Sequence, residues 1–298
     1  MAKALKRLAR KNSFLYVLYN FPRLLKGYYP IFLDYPFTPA PRYGYGKPPH
    51  RKLYEMFAAE RARFISTLQE FRQLDSYLTQ VPLREPRGST KPCWINKWLD
   101  GLDTLALYSL VALKRPKRYI EIGSGYSTKV VRRAIQYHDL ATRIVSIDPY
   151  PRAEIDAICD EVIRKPVQDV DLKFFDQLAP GDIFFLDGSH RSFMNSDVTI
   201  FFLDILPNLK PGVLVHIHDI DLPYDYMPER AEWYYSEQYL LATALLSGHK
   251  NFQVLLPNAF LSQEDDCRQA LASLWSRLPG VPPRGVSFWM EIIAPNPR

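Results

Sequence analysis

The stretch Tyr119-Ile-Glu-Ile-Gly-Ser-Gly-Tyr-Ser-Thr128 decides the fold. It begins as an apolar strand, and Gly123 and Gly125 then turn the chain into a helical segment that runs to Tyr137. Glycines at such a turn let the backbone approach a ligand closely, and the helix start offers unpaired N–H groups. The third glycine of a dinucleotide site is missing, because Thr128 stands there. The stretch therefore predicts a βα unit with a small-molecule loop, and a plain tight turn is the alternative.

The strand and helix pattern continues from this unit to the end of the chain. Near-continuous apolar strands that alternate with helices indicate a parallel sheet buried on both faces, hence a doubly wound α/β domain. Helices are predicted near residues 127–137, 154–160, 195–206 and 232–247. Strands are predicted at residues 118–122, 143–147, near 162, and at 182–186, 213–217, 252–256 and 286–293. The long last connection, residues 257–285, allows the final strand to return antiparallel.

A different kind of sequence precedes the sheet. Residues 28–50 are rich in proline and aromatic residues and should pack in an extended form. Residues 51–80 have the apolar spacing of an amphipathic helix, and a second helix is predicted from Asp100 to Leu113. We therefore predict an N-terminal helical and irregular extension over residues 1–94 and the α/β domain over residues 95–298.

Length and composition limit the class of protein. The 298 residues are 47% hydrophobic and 14% aromatic, which predicts a globular chain with a large core rather than a disordered one. The longest apolar run near the N-terminus, Phe14 to Tyr19, is too short for a membrane span or a secretory signal. The cysteines, Cys93, Cys159 and Cys267, form no CxxC pair. These features predict a cytoplasmic protein in a reducing compartment.

Charge is concentrated at the N-terminus. The net charge is +6, but the first 30 residues carry seven basic residues and no acid, so the remainder sums to 6 − 7 = −1. A nearly neutral body argues against a nucleic-acid-binding face. The basic segment also carries Leu5, Leu8, Leu15 and Leu18 at helical spacing. We favour a helix packed on the body or on a second subunit, which leaves a homo-oligomer open, over contact with an anionic membrane surface.

Polar residues follow three of the predicted strands at the edge where ligands of open α/β sheets bind. Asp148 ends the second strand, 27 residues after Glu121, and an acid there can accept two ribose hydroxyls. Asp187-Gly-Ser-His190 follows the fourth strand, and His218-Asp219 follows the fifth. For Asp148 the alternative is a loop acid or helix cap before Pro149.

Asp187, His218 and Asp219 are predicted to converge across neighbouring strand ends. They would offer oxygen and imidazole ligands to a divalent ion. A non-haem iron triad is a weaker interpretation, because that triad is usually built in a β-barrel. The remaining alternative is that His218 and Asp219 only close the cofactor pocket.

Taken together, these segments resemble the class I S-adenosylmethionine (SAM)-dependent methyltransferases over roughly residues 95–295. Glu121-Ile-Gly-Ser-Gly125 is similar to their first motif, and Asp148 to their ribose-binding acid. Leu186-Asp-Gly-Ser-His190 and His216-Ile-His-Asp219 are similar to the small-molecule O-methyltransferase group, which includes macrocin-type and catechol-type enzymes. The resemblance implies a Rossmann-like, doubly wound, seven-stranded sheet with an antiparallel last strand, and SAM as cofactor.

The resemblance also implies roles for individual residues. Asp187 and His190 would be catalytic, with His190 as the general base, since histidine titrates near neutral pH. A metal would be held by Asp187, His218 and Asp219. His218 stands where the family has a carboxylate or amide, which puts Mg²⁺ in doubt and favours Mn²⁺, Zn²⁺ or iron. Cofactor contacts would come from Glu121, Gly123, Ser124, Gly125, Ser127, Asp148, Asp169, Asp187 and Gly188.

The expected function is transfer of a methyl group from SAM to a hydroxyl of a small molecule of sugar, polyketide or phenolic type. N-methylation is one alternative. A SAM-binding regulatory protein without turnover is another, permitted by the departure at His218. An NAD oxidoreductase is disfavoured, because the third glycine of its loop is missing and the strand ends carry Asp-Gly-Ser-His and His-Asp.

Overall fold

The computed structural model describes residues 13–26, 39–151, 154–248 and 251–294. The chain divides into two compact units, residues 1–39 and residues 40–298. Among the described residues, no helix is long and apolar enough to cross a membrane.

The described part of the first unit is a helix, α1 (Ser13–Leu24), the two residues that follow it, and Pro39. Several of its large apolar side chains are exposed, among them Phe14, Val17, Leu18 and Phe21. Leu5 and Leu8 of the predicted helix face lie outside the described residues, as do residues 28–38 of the proline- and aromatic-rich segment.

The second unit contains a seven-stranded sheet in the order β3-β2-β1-β4-β5-β7-β6. Neighbouring strands from β3 to β5 are parallel, whereas β7 pairs antiparallel with both β5 and β6. The strands are β1 (Arg118–Ile122), β2 (Arg143–Ile147), β3 (Glu161–Ile163), β4 (Ile183–Leu186), β5 (Leu214–Ile217), β6 (Phe252–Pro257) and β7 (Phe288–Ile292). The predicted Rossmann-like sheet with an antiparallel last strand is confirmed.

Helices precede the sheet in the chain and also connect its strands. They are α2 (Arg51–Ala59), α3 (Arg61–Phe71), α4 (Asp75–Leu78), α5 (Gly101–Lys114), α6 (Tyr126–Tyr137), α7 (Asp197–Ile200), α8 (Glu237–Leu246), α9 (Asn258–Leu261), α10 (Asp265–Ala270) and α11 (Ala272–Trp275). Helix α5 is buried all round, from Gly101 to Ala112, as expected of a helix inside a core. It packs against α6.

Three predicted helices differ from the structure. The helix near residues 154–160 is wrong: only a 3₁₀ turn, Asp156–Ile158, forms there, because Asp160 already pairs with Ile144 of β2 through its backbone N–H and its carboxylate. The predicted helix over 232–247 begins only at Glu237, because Tyr234 adopts a left-handed conformation with φ +54°. Residues 51–80 form several short helices, with breaks at Glu60 and Arg72.

Residues 53–81 contribute side chains to the same hydrophobic cluster as the sheet. The domain boundary predicted after residue 94 stays a prediction. The described residues 40–50 bind to the loop that follows β5: the Tyr43 N–H donates to Asp225 Oδ2 (2.9 Å), and the His50 N–H donates to the Pro223 carbonyl (2.9 Å). This end of the proline- and aromatic-rich segment therefore lies beside the loop that carries Asp219.

Candidate active site

The turn after β1 is a glycine loop that lies against the end of β4. Gly123 has φ +80°, and a Cβ there would lie 1.9 Å from the Asp187 carbonyl oxygen. Only glycine therefore allows both the conformation and the close approach. Gly125 is different, since its backbone is extended (φ 167°) and a Cβ there would meet nothing within 4 Å. Gly188, after β4, has no room for a Cβ because Asp197 Oδ2 would lie 2.0 Å away.

Glu121 ties the glycine loop to the start of α6. Its side chain is fully buried, accepts a hydrogen bond from the Ser127 hydroxyl at 2.9 Å, and accepts another from the Thr128 hydroxyl. Thr128 in turn accepts the Gly125 N–H at 3.1 Å. Thr128, which occupies the place of the third glycine, thus closes the loop. Burial raises the pKa of Glu121 to about 7, and these hydroxyl bonds partly oppose that shift.

Glu121→Gln should remove a pH dependence of stability. Because folding raises the pKa of Glu121 from 4.5 to about 7, the folded state holds this proton more tightly, and stability falls as pH rises through that window. The loss is on the order of 3 kcal/mol at 1.36 kcal/mol per pKa unit. Urea unfolding between pH 4 and pH 8 should show a flatter curve for Glu121→Gln than for the native protein. Parallel curves would contradict the prediction, and the exposed Glu70→Gln serves as control.

Asp148 lies at the end of β2 beside the glycine loop. Its carboxylate accepts the Ser124 N–H at 2.9 Å and the Tyr150 N–H at 2.8 Å. The side chain thus shapes the loop, as the alternative interpretation expects. Each carboxylate oxygen has a further lone pair, so the group can still accept hydrogen bonds from a ligand.

A cavity of about 1170 Å³ opens over these loops. It is lined by the glycine loop, Asp148, Asp187 and Gly188, and by most of residues 85–99. Small-molecule sites usually measure about 300–1,000 Å³, so there is room for more than one small molecule. Ser124 and Ser127 also line this cavity, whereas Asp169 is exposed and does not; Val167 and Gln168 line it instead. An adenine contact by Asp169 stays a prediction.

A second cluster of polar side chains surrounds the Asp187 carboxylate. His190 Nε2 lies 3.4 Å from Asp187 Oδ1 and 3.6 Å from Asp219 Oδ2. His218 Nδ1 lies 3.4 Å from the same Asp187 oxygen and 3.9 Å from Asp219 Oδ1. The predicted trio Asp187, His218 and Asp219 offers ligand atoms that all lie within 4.8 Å of one another. The structure therefore brings together all four residues, and Asp187 belongs to both the cavity and this cluster.

Two residues of this cluster have an unusual backbone conformation that sets the direction of their side chains. His190 (φ +62°) and Asp219 (φ +56°) both lie in the left-handed region, which non-glycine residues adopt mainly at special turns. The Ser236 N–H donates to the His190 carbonyl at 2.8 Å and fixes that turn against the start of α8.

Charge around the cluster is dominated by carboxylates. Burial alone would lower the pKa of His190, but Glu237, Asp187 and Asp219 outweigh it and raise that pKa to about 9. Burial likewise opposes a charge on His218, yet Asp187, Asp219 and Asp103 raise its pKa well above the usual value. Both shifts favour the positively charged imidazolium over the neutral ring.

Three charged residues of this site were missed by the sequence analysis. Glu237 hydrogen-bonds His190 Nδ1, Asp103 Oδ2 lies 3.6 Å from His218 Nε2, and Arg230 donates to Asp219 Oδ1 at 2.6 Å. The sequence does mark Asp103 as unusual, because it is an acid inside the apolar segment that forms α5. Nothing in the sequence marks Glu237 and Arg230 in this way, because they reach the site only through the packing of segments that are distant in the chain.

Comparison with known proteins agrees with this geometry. Residues 120–220 match the model of a family described as a methyltransferase domain. Over this range the chain is similar to a methyltransferase domain. The matched range runs from β1 to the residue after Asp219, so it contains the glycine loop, Asp148 and the residues that follow β4 and β5.

Individual relatives of the methyltransferase domain are distant. A protein of Archaeoglobus fulgidus described as uncharacterised is 36% identical over 89 residues, which are 28% of this chain and 40% of that protein. The chain thus spans about 40% of the length of that relative. The SAH-bound structure of the Podospora anserina methyltransferase PaMTH1 is 14% identical, with 85% of this chain and 100% of that chain covered and a TM-score of 0.40. A Mg- and SAM-bound structure of cmcI is 15% identical, with 65% and 72% covered and a TM-score of 0.39.

Proposed function

We propose that this chain transfers the methyl group of SAM to a hydroxyl of a small molecule, beside a divalent ion held by Asp187, His218 and Asp219. The proposal rests on the position of Asp187, which lines the cavity and also lies beside the imidazoles of His190 and His218. A donor in the cavity and an ion in the cluster would thus be neighbours. We place the reaction in the cytoplasm, in keeping with three free cysteines.

The residues of the cavity fit SAM. Gly125 leaves open space where any side chain would stand, the α6 N-terminus lies beneath it, and Asp148 can accept hydroxyl hydrogen bonds. SAM, when bound, supplies an electrophilic methyl group on a positively charged sulfur. The loops would bind and orient it so that an acceptor oxygen can approach in line.

The residues of the cluster fit a divalent cation. Among the described residues, neither buried ring nitrogen of His218 has a hydrogen-bond partner, although two carboxylates lie near Nδ1 and the Asp103 carboxylate lies 3.6 Å from Nε2. Carboxylate oxygens and imidazole nitrogens are ligands of divalent metals. A bound ion would act as a Lewis acid and lower the pKa of an acceptor hydroxyl.

Transfer of the methyl group forms an O–C bond, breaks the C–S bond and leaves the hydroxyl proton to be removed. The Asp187 carboxylate, at the boundary of cavity and cluster, is placed to receive that proton. For His190, the general-base role stays a prediction. The carboxylates around its Nε2 hold a proton on the imidazole near neutral pH, so His190 would have to lose that proton before it could accept another.

The test is a mass-resolved screen of hydroxyl and amine acceptors with labelled SAM, with and without a strong chelator. Methylation of an oxygen that stops on chelation and returns with added ion supports the proposal. Methylation of nitrogen alone would indicate an N-methyltransferase. Binding of SAM without turnover on any acceptor would favour a regulatory protein.

Gly125→Ala should weaken SAM binding without changing stability. The added methyl group fits the backbone conformation and meets no protein atom within 4 Å, so the melting temperature should stay close to that of the native protein. The same methyl would compete with SAM, at a cost of roughly 1–3 kcal/mol by analogy with overpacking. Calorimetric titration with SAM and thermal melts measure the two effects. A variant that binds SAM normally would show that SAM does not occupy this space. Gly123→Ala, in contrast, should fail to fold normally.

A further inference from the structure

We propose that helix α1 (Ser13–Leu24) docks on an anionic lipid surface, with an apolar stripe of the helix in the membrane interface and the surrounding basic residues against the lipid headgroups. Helix α1 belongs to the first compact unit, whereas the residues of the cavity and of the cluster around Asp187 belong to the second. Docking on lipid is therefore independent of methyl transfer. Two observations carry it, the exposure of the stripe and the distribution of charge along the chain.

The apolar stripe is formed by Leu18, Phe21 and Leu25, along one side of α1. Positions three and four residues apart lie on the same face of a helix, and these residues are spaced by three and then four. The Leu25 N–H donates to the Phe21 carbonyl at 3.1 Å, so the helical turn includes Leu25. The three residues are 53%, 51% and 73% exposed, respectively. Each would gain free energy by leaving water, so the stripe is suited to an apolar environment.

The sequence around the stripe is basic. The first 30 residues carry seven Lys or Arg residues and no acid, and the first acid of the chain is Asp34. Arg23 and Lys26 stand beside the stripe in the sequence, and Lys26 is exposed. A helix that combines an apolar face with basic residues lies in the interface of an anionic membrane. There its apolar side chains reach the boundary of the acyl chains, and its bases attract the headgroups.

Charge complementarity favours lipid over the other possible occupants of the stripe. A second copy of this chain would bring another segment of charge +7 against the first, and like charges repel. A nucleic acid would attract the bases but would leave the apolar stripe in water. Residues 31–298 sum to 6 − 7 = −1, so the rest of the chain offers little attraction to the basic segment. The sequence spacing favours a packed helix, whereas the exposure of the stripe favours an anionic lipid surface.

Sedimentation of the whole chain with vesicles tests the proposal. The native protein should pellet with vesicles of phosphatidylglycerol and phosphatidylcholine in equal parts, and it should stay in solution with phosphatidylcholine alone. Added salt should weaken the binding, because it screens the attraction between bases and headgroups.

The double variant Leu18→Ser/Phe21→Ser should lower the partition coefficient into the anionic vesicles by about 100-fold, roughly tenfold for each apolar side chain removed. Arg23→Gln/Lys26→Gln should lower it by about 10- to 30-fold. Leu203→Ser is the matched control, because Leu203 is 70% exposed but belongs to the second unit, and it should leave the partition coefficient unchanged. Thermal melts of all the variants confirm that they fold.

Two results would overturn the proposal. One is native protein that fails to pellet with the anionic vesicles, or that pellets to the same extent as Leu18→Ser/Phe21→Ser. The other is a dimer in analytical ultracentrifugation that this double variant breaks, without vesicle binding, since the stripe would then be an interface between copies. Neither result bears on methyl transfer, which is judged by labelled product and by SAM binding.

Discussion

His190→Ala should lower the rate of methyl transfer by about 100- to 10,000-fold, the range for losing a group that acts on the reacting hydroxyl. The imidazole is almost fully buried, with only 5% exposed, between Asp187 and Asp219. Its removal takes away one of the two imidazoles that face those carboxylates, so that only His218 and Arg230 remain beside them. The acceptor hydroxyl would then lose part of the positive charge that lowers its pKa.

Affinity for SAM should stay near that of the native protein in this variant, because His190 is not among the described residues that line the cavity. Single-turnover rates at saturating SAM, together with calorimetric binding of SAM, separate the two effects. An equal loss of binding and turnover would contradict the prediction and make His190 a cofactor contact. His138→Gln, at the end of α6, serves as the histidine control.

Asp148→Ala should weaken SAM binding by ~1.5–3 kcal/mol, the contribution of a hydrogen bond to a charged group. Two losses combine here. The ribose hydroxyls would lose their charged acceptor, and the Ser124 and Tyr150 N–H groups would lose the carboxylate that shapes the glycine loop. Turnover at saturating SAM should fall much less than affinity.

Isothermal calorimetry with SAM measures this effect. Asp148→Asn distinguishes the two losses, because its amide oxygen can still accept one backbone N–H while the negative charge is gone. Asp176→Ala, an exposed acid outside the cavity, is the matched control. Unchanged affinity in Asp148→Ala would remove Asp148 from the cofactor site and leave only its role in the loop.

The sheet, and the polar residues that follow its strands at one edge, could be predicted from the sequence for one physical reason. Strands buried on both faces must be apolar throughout, so the acids that follow them, such as Asp148 and Asp187, stand out. Parallel strands also end at one edge, which predicts that their following residues meet. For the last strand, the long connection over residues 257–285 allows an antiparallel return, and the family resemblance implies it.

The surroundings of the histidines could not be predicted in this way. Glu237 lies beside His190 because the chain turns at Tyr234 and α8 begins only after that turn. The sequence pattern instead predicts a helix across the turn. Asp103 reaches His218 from a helix that precedes the sheet. Such contacts depend on how elements pack, and single-sequence patterns report periodicity within an element rather than its neighbours.

The contact between Gly123 and the Asp187 carbonyl has a consequence for how this site could diversify. Main-chain atoms that follow β1 and β4 are in contact here, so the spacing between the glycine loop and the Asp187 backbone does not depend on which side chains line the cavity. The cavity-lining residues between 85 and 99 lie outside both of these loops. Under the proposed function, new acceptors could therefore be accommodated through changes in those residues, with this spacing kept.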